Sequence, residues 1–235
     1  MLTEQILSTI KSVFISKKLG ENSPFLALKN NKISIIDESL IEITQIRFSY
    51  TPQAQWIFFS SENAITHFFA QNPELPEGVY YAVTSQVSAD YLLTYGKTAR
   101  FIGKGTDTVK IAKDFRDALG DDSVLFPQAI DSLQTIQKQL AFTNTCYNLY
   151  VYKTTIKSDF TIPHTDVVIF TSPSNVIAYS NKYKINDQQI VIAMGQVTKK
   201  KLSEYGITNV LTPTSFNETG LCDIILNYNI IHQPV

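Results

Sequence analysis

The sequence predicts an α/β fold built on parallel sheets. Short apolar, β-branched runs recur along the whole chain, and helix-compatible segments lie between them. An internal repeat then divides that pattern into two similar halves. Strands are expected at 12–16, 32–36, 55–60, 80–83, 123–126, 148–152, 166–170, 189–193 and 209–212. Several are continuous rather than alternating, as in Val167-Val168-Ile169-Phe170. That is the mark of parallel strands buried on both faces. So many strands fit two small three-layer sheets at least as well as one.

The intervening helices are expected at 62–70, 85–95, 107–119, 132–140, 174–181, 198–205 and 218–227. Pro173 after Thr171-Ser172 gives an N-cap followed by proline in the first turn. Gly96 and Gly206 follow Tyr95 and Tyr205, where a left-handed C-terminal cap suits glycine. There is no low-complexity segment or long linker.

Composition narrows the function. The chain has 235 residues, is 44% hydrophobic, and carries 20 Lys+Arg against 21 Asp+Glu. Wholesale disorder is excluded. A net charge of −1 argues against nucleic-acid or anionic-membrane binding through bulk electrostatics. Only three of the basic residues are Arg, so bidentate readout of many phosphates is not expected. Cys146 and Cys222 form no CxxC pair, and His67, His164 and His232 share no metal-ligand spacing. No targeting segment and no run of about 18 apolar residues is visible, so a cytoplasmic protein with reduced thiols is expected. Phe101-Ile102-Gly103-Lys104-Gly105-Thr106 is superficially like a phosphate loop but lacks the required spacing. Trp56 and the cysteines read as structural, and His67 as a polar-face residue.

The repeat is the most informative feature. Phe59-Ser60-Ser61-Glu62-Asn63-Ala64-Ile65 aligns with Phe170-Thr171-Ser172-Pro173-Ser174-Asn175-Val176. Further on, Ser85-Gln86-Val87-Ser88 aligns with Gly195-Gln196-Val197-Thr198, and both copies end in Tyr-Gly. Each motif follows an apolar strand. Strand C-terminal ends and helix N-termini share one edge of a parallel sheet, where free N–H groups and the helix dipole favour anions. Ser60, Ser61, Ser85, Ser88, Thr171, Ser172, Gly195 and Thr198 are therefore the candidate binding residues. Two such edges facing each other would offer a donor-rich cleft to a large polyanion. The plain alternative is that the hydroxyls are ordinary helix caps.

These motifs, with Val151-Tyr152-Lys153-Thr154 and Leu125-Phe126-Pro127, resemble the uroporphyrinogen-III synthase family in order and spacing over about residues 12–226. The resemblance implies two flavodoxin-like three-layer domains joined by a two-stranded β connection. The first would be discontinuous, 1–38 with 155–235. The second would be inserted at 45–148, with linker strands at 39–44 and 149–154. It also implies a cyclising hydro-lyase of tetrapyrrole (haem) biosynthesis. Its substrate would be hydroxymethylbilane, dehydrated and closed with inversion of ring D to give uroporphyrinogen III. No cofactor or metal is implied, and no nucleic-acid or membrane partner. The expected state is a monomer, in transient contact with the preceding pathway enzyme.

By the same resemblance the family's tyrosine falls on Tyr152, as proton or hydrogen-bond donor to the departing hydroxyl. Tyr150 is its competitor under a shifted register. Lys17, Lys18, Lys104, Lys153, Lys199 and Lys200 are candidates for screening the substrate's carboxylates. The sequence departs from the family at Ser85, which stands opposite Gly195. It also departs at Ser16-Lys17-Lys18, where bacterial members commonly have Thr-Arg-Pro, and at Gln128, where Arg is frequent. The runner-up is a non-catalytic two-lobed module that binds or senses a small anion.

Overall fold

The computed structural model describes residues 10–30 and 32–231; His232 lies outside them. The chain runs β1 (Ser12–Ile15), α1 (Phe25–Asn30), β2 (Ser34–Asp37), β3 (Ile41–Gln45), β4 (Trp56–Phe59), α2 (Glu62–Phe69), β5 (Tyr80–Val83), α3 (Gln86–Leu93) and β6 (Ala99–Ile102). It continues α4 (Thr108–Leu119), β7 (Val124–Ala129), α5 (Thr135–Leu140), β8 (Cys146–Ile156), β9 (Val167–Phe170), α6 (Pro173–Ser180), β10 (Ile190–Ala193), α7 (Gln196–Glu204), β11 (Val210–Leu211) and α8 (Glu218–Ile231). Two compact units result. One takes the chain up to Glu42 and again from Ile156; the other is Ile43–Thr155.

The first unit holds a five-stranded sheet in the order β11-β10-β9-β1-β2, and all its neighbours are parallel. All four residues of β9 are buried. One face packs Val176, Ala178 and Tyr179 of α6 and Leu202 of α7. The other packs Phe25 and Leu28 of α1 with Leu221, Cys222 and Ile225 of α8. Helices on both faces explain why the apolar runs are continuous.

The second unit holds a six-stranded sheet, β3-β8-β7-β4-β5-β6. The pairs from β8 to β6 are parallel. Lys157 N–H donates to the Leu40 carbonyl and Ile46 N–H to that of Val151, so the β3 and β8 segments run antiparallel. Here α2 and α3 cover one face, and α4 and α5 the other. The recorded β4–β7 register covers Val124 and Leu125. It stops short of Pro127, which has no backbone donor to extend it.

Two elements escape the sequence reading. Helix α1 has six residues, too few to display a period, and buries Phe25 and Leu28 one turn apart. Strand β6 is an edge strand carrying Arg100, whose guanidinium lies 4.0 Å from the Tyr80 ring centre. Helix α7 begins at Gln196 rather than at residue 198.

Candidate active site

Four helices start where the repeat places hydroxyl turns, at the C-terminal edges of the two sheets. Their N-caps are Ser61, Ser85, Ser172 and Gly195, all with extended backbones. Each serine accepts from the N–H three residues on: Ser61 from Ala64 at 3.2 Å, Ser85 from Ser88 at 3.2 Å and Ser172 from Asn175 at 3.3 Å. Gly195 has no side chain to do this, so its cap makes no such bond. Among the described residues a Cβ there would meet only Phe216, at 3.8 Å, and the backbone is one any residue adopts. Packing among the described residues therefore gives no reason for glycine at 195. Its effect is to leave α7 with first-turn donors that its cap residue does not cover.

Ser88 and Thr198 are not caps. They lie in the first turns of α3 and α7 and are buried, and Ser88 Oγ sits 3.1 Å from Ser85 Oγ. Ser60 is exposed. Thr171 is tied to the end of β1: its N–H donates to Ser16 Oγ at 2.9 Å, and its hydroxyl to the Ser16 carbonyl at 3.1 Å. Asn175, which the sequence reading missed as a contributor, donates to Ser172 Oγ at 3.0 Å and accepts the Leu40 N–H at 2.9 Å.

The second unit brings Ser61 and Tyr152 together, hydroxyl to hydroxyl at 3.2 Å. Strand alternation alone would put Tyr150 and Tyr152 on one face. A bulge intervenes. Gln128 pairs with Tyr150 but Ala129 pairs with Tyr152, which leaves Val151 as the extra residue. Val151 and Tyr152 consequently enter the same core, under α2. Tyr150 stays exposed, its hydroxyl accepting a long 3.4 Å bond from Gln134. Burial pushes the Tyr152 phenol above its ordinary pKa; the Ser61 bond opposes this and the Asp131 charge adds to it. The group is therefore a protonated donor at neutral pH.

His67, read from sequence as a polar-face residue, stacks on Tyr152 with ring centres 5.6 Å apart and planes at 29°. Burial pushes its pKa below the ordinary imidazole value, so the ring is neutral near pH 7. Its position six residues after Ser61 carried a signal only if Tyr152 was already known to lie under α2.

The lysines divide. Lys17 pairs with Glu218 at 2.7 Å and Lys18 with Asp37 at 3.2 Å. No ion pair among the described residues involves Lys104, Lys153, Lys199 or Lys200. Gln128 is buried, accepting from Gln137 at 2.7 Å and donating to Asn148 at 2.8 Å, so it serves the core rather than an anion. Burial pushes the Cys222 thiol up to about 12, far from a reactive thiolate. Among the described residues no His/Cys/Asp/Glu group could hold a metal, and no helix is long and apolar enough to cross a membrane.

A family model described as uroporphyrinogen-III synthase HemD matches residues 25–228. The chain belongs to the uroporphyrinogen-III synthase family. Membership places it among the enzymes of tetrapyrrole biosynthesis. The uroporphyrinogen-III synthetase of Helicobacter pylori is similar in fold, with TM-score 0.69 and 15% identity over 93% of this chain and 100% of that one. A mutant uroporphyrinogen III synthase from Thermus thermophilus has TM-score 0.61 and 13% identity over 94% and 99%. No curated protein matches. The candidate residues divide between the two units of this synthase-family fold. Ser60, Ser61, Ser85, Ser88 and Tyr152 lie in one; Thr171, Ser172, Gly195 and Thr198 lie in the other.

Proposed function

We propose that this family member is a cyclising hydro-lyase that converts hydroxymethylbilane to uroporphyrinogen III. The observation that carries the site assignment is the Tyr152 hydroxyl 3.2 Å from Ser61 Oγ at a helix start, with burial holding the phenol above its ordinary pKa. The phenol donates its proton to the departing hydroxyl as the C–O bond breaks, and the adjoining pyrrole nitrogen supplies the electron pair. Water leaves, and Ser61 donates to the phenolate oxygen that remains. The phenolate is reprotonated when the ring carbon attacked in closure loses its proton, so the only net loss is water. The first-turn donors of α2, α3, α6 and α7 hold the substrate's carboxylates. In this reading the chain acts as a cytoplasmic monomer, in transient contact with the preceding pathway enzyme.

The test is incubation of purified protein with freshly made hydroxymethylbilane, without added metal or cofactor, followed by oxidation and isomer separation. Isomer III is expected. A product that is purely isomer I, from protein shown to be folded, would sink the proposal and leave the binding-module reading standing.

A further inference from the structure

We infer that His67 is a positioning residue for Tyr152, and that its imidazole fixes the plane of the phenol whose hydroxyl rests on Ser61. The inference depends on reading Tyr152 as the proton donor. A phenol held only through its hydroxyl can still rock about its side-chain torsions. Helix α2 grips this one at two points instead. Its N-cap oxygen lies 3.2 Å from the phenol oxygen, and its His67 ring stacks on the phenol ring, 5.6 Å between centres and inclined at 29°. Both contacts come from one rigid element, so the hydroxyl and the ring plane are set together.

Nothing in the helix itself calls for histidine here. Histidine is a mediocre helix former, and half-burying an imidazole costs solvation. The core of this unit is filled beside it by Ala64, Ile65 and Phe68. The repeat supplies an internal control. Six residues after the Ser172 cap, in the unit without this tyrosine, the corresponding residue is the small, buried Ala178. The imidazole therefore occurs in the half of the repeat that has a phenol to hold.

The test compares kcat and KM for isomer III formation in wild type, His67→Phe, His67→Leu, His67→Ala, Tyr152→Phe and the Tyr152→Phe/His67→Leu double variant, with melting curves for each. Losing one aromatic stack should lower kcat about threefold to tenfold in His67→Leu and His67→Ala, with KM within about twofold. His67→Phe, which keeps a flat ring, should recover most of kcat. In the Tyr152→Phe background the leucine change should add little, because the donor it positions is already gone. If His67→Ala does not fold, the contrast between leucine and phenylalanine decides. Equal kcat in those two variants overturns the inference, as does an undiminished effect in the double variant. If Tyr152→Phe is itself fully active, the proton-donor reading fails first. A slow Tyr152→Phe beside a fully active His67→Leu sinks the positioning role alone.

Discussion

The two units arrange five parallel strands in the same way but thread them in a different order. In the unit Ile43–Thr155 the chain runs β4-α2-β5-α3-β6-α4-β7-α5-β8 without interruption. In the other, the corresponding positions read β9-α6-β10-α7-β11-α8 and then, from the start of the chain, β1-α1-β2. The units are thus circular permutants. In both, two strands step outward on one side of the first one, β4 or β9, and two lie on its other side. The helix pairs also correspond: α4 packs with α5 as α8 packs with α1. What differs is chemistry. One permutant caps both helix starts at its donor edge with serine and adds Tyr152. The other replaces one serine with Gly195.

The sharpest way to break that comparison is to remove the phenol. Tyr152→Phe is expected to lower kcat by about 10- to 1,000-fold, the span from an assisting hydrogen bond to general acid catalysis. Melting temperature should move little, because the ring and its stack remain. Tyr150→Phe is the control on the same strand, and steady-state kinetics on both variants decides. Full kcat in Tyr152→Phe with a loss in Tyr150→Phe would mean that the bulge does not select the working tyrosine.

Permutation also explains what the sequence made legible. The repeat is visible from β4 to the end of α3 and from β9 to the end of α7, where both units run in the same order. Beyond that, β7-α5-β8 and β1-α1-β2 sit at opposite ends of their units, so no collinear alignment can match them. Caps such as Ser61 and Ser172 were readable because the signal is local. The Tyr152–Ser61 contact rests on a bulge at Val151 and a separation of 91 residues, and local pattern encodes neither. His67 acts through Tyr152 and Asn175 reaches the Leu40 N–H, partners likewise remote in sequence.

A second prediction tests how tightly the unit Ile43–Thr155 is packed around one of its glycines. At Gly103, just after β6, an added Cβ would lie 2.7 Å from the Thr84 carbonyl oxygen and 2.9 Å from Ile111. Gly103→Ala should cost about 1–3 kcal/mol by forcing backbone or side chain aside, read as a shift in denaturant midpoint. An unshifted midpoint would show that this corner yields without strain.

The third concerns the break that permutation creates. Helix α4 is joined to β7 by a short loop, whereas α8 and β1 stand far apart in sequence. Glu218 in the first turn of α8 bridges that gap, bonding Lys17 at 2.7 Å and Ser23 at 2.6 Å. Burial alone would raise its pKa, but the bonds from Lys17 and Ser23 outweigh this and hold it below the ordinary carboxylate value. A depressed folded pKa contributes stability above the unfolded value, and that contribution is lost as pH falls through the folded pKa. Glu218→Gln should therefore cost about 1 kcal/mol near pH 7, discounted for the exposure of Lys17. The gap to wild type should begin to narrow below about pH 4 and vanish only below the depressed folded pKa. A gap that persists unchanged at pH 3 in denaturant titrations would show that charge does not carry the link.

The smallest expected effect is the most direct exchange between the units. Gly195→Ser installs at α7 the cap that Ser85 provides at α3. The backbone at 195 is already extended, and among the described residues the added side chain has only Phe216 near it, so the fold accommodates the change. Serine over glycine at an N-cap is worth only a few tenths of a kcal/mol, so a slightly higher denaturant midpoint is expected. Kinetics should move the other way. The new hydroxyl would take up the Thr198 N–H, as Ser85 takes up that of Ser88, and an anionic substrate would lose a donor and the room to approach it. KM for hydroxymethylbilane should rise about threefold to tenfold, the equivalent of one modest hydrogen bond. Ser85→Gly should shift stability the opposite way by a similar few tenths. If Gly195→Ser gains stability and leaves KM untouched, the uncovered donors of α7 do not meet substrate, and the glycine marks only where the two halves of the repeat diverged.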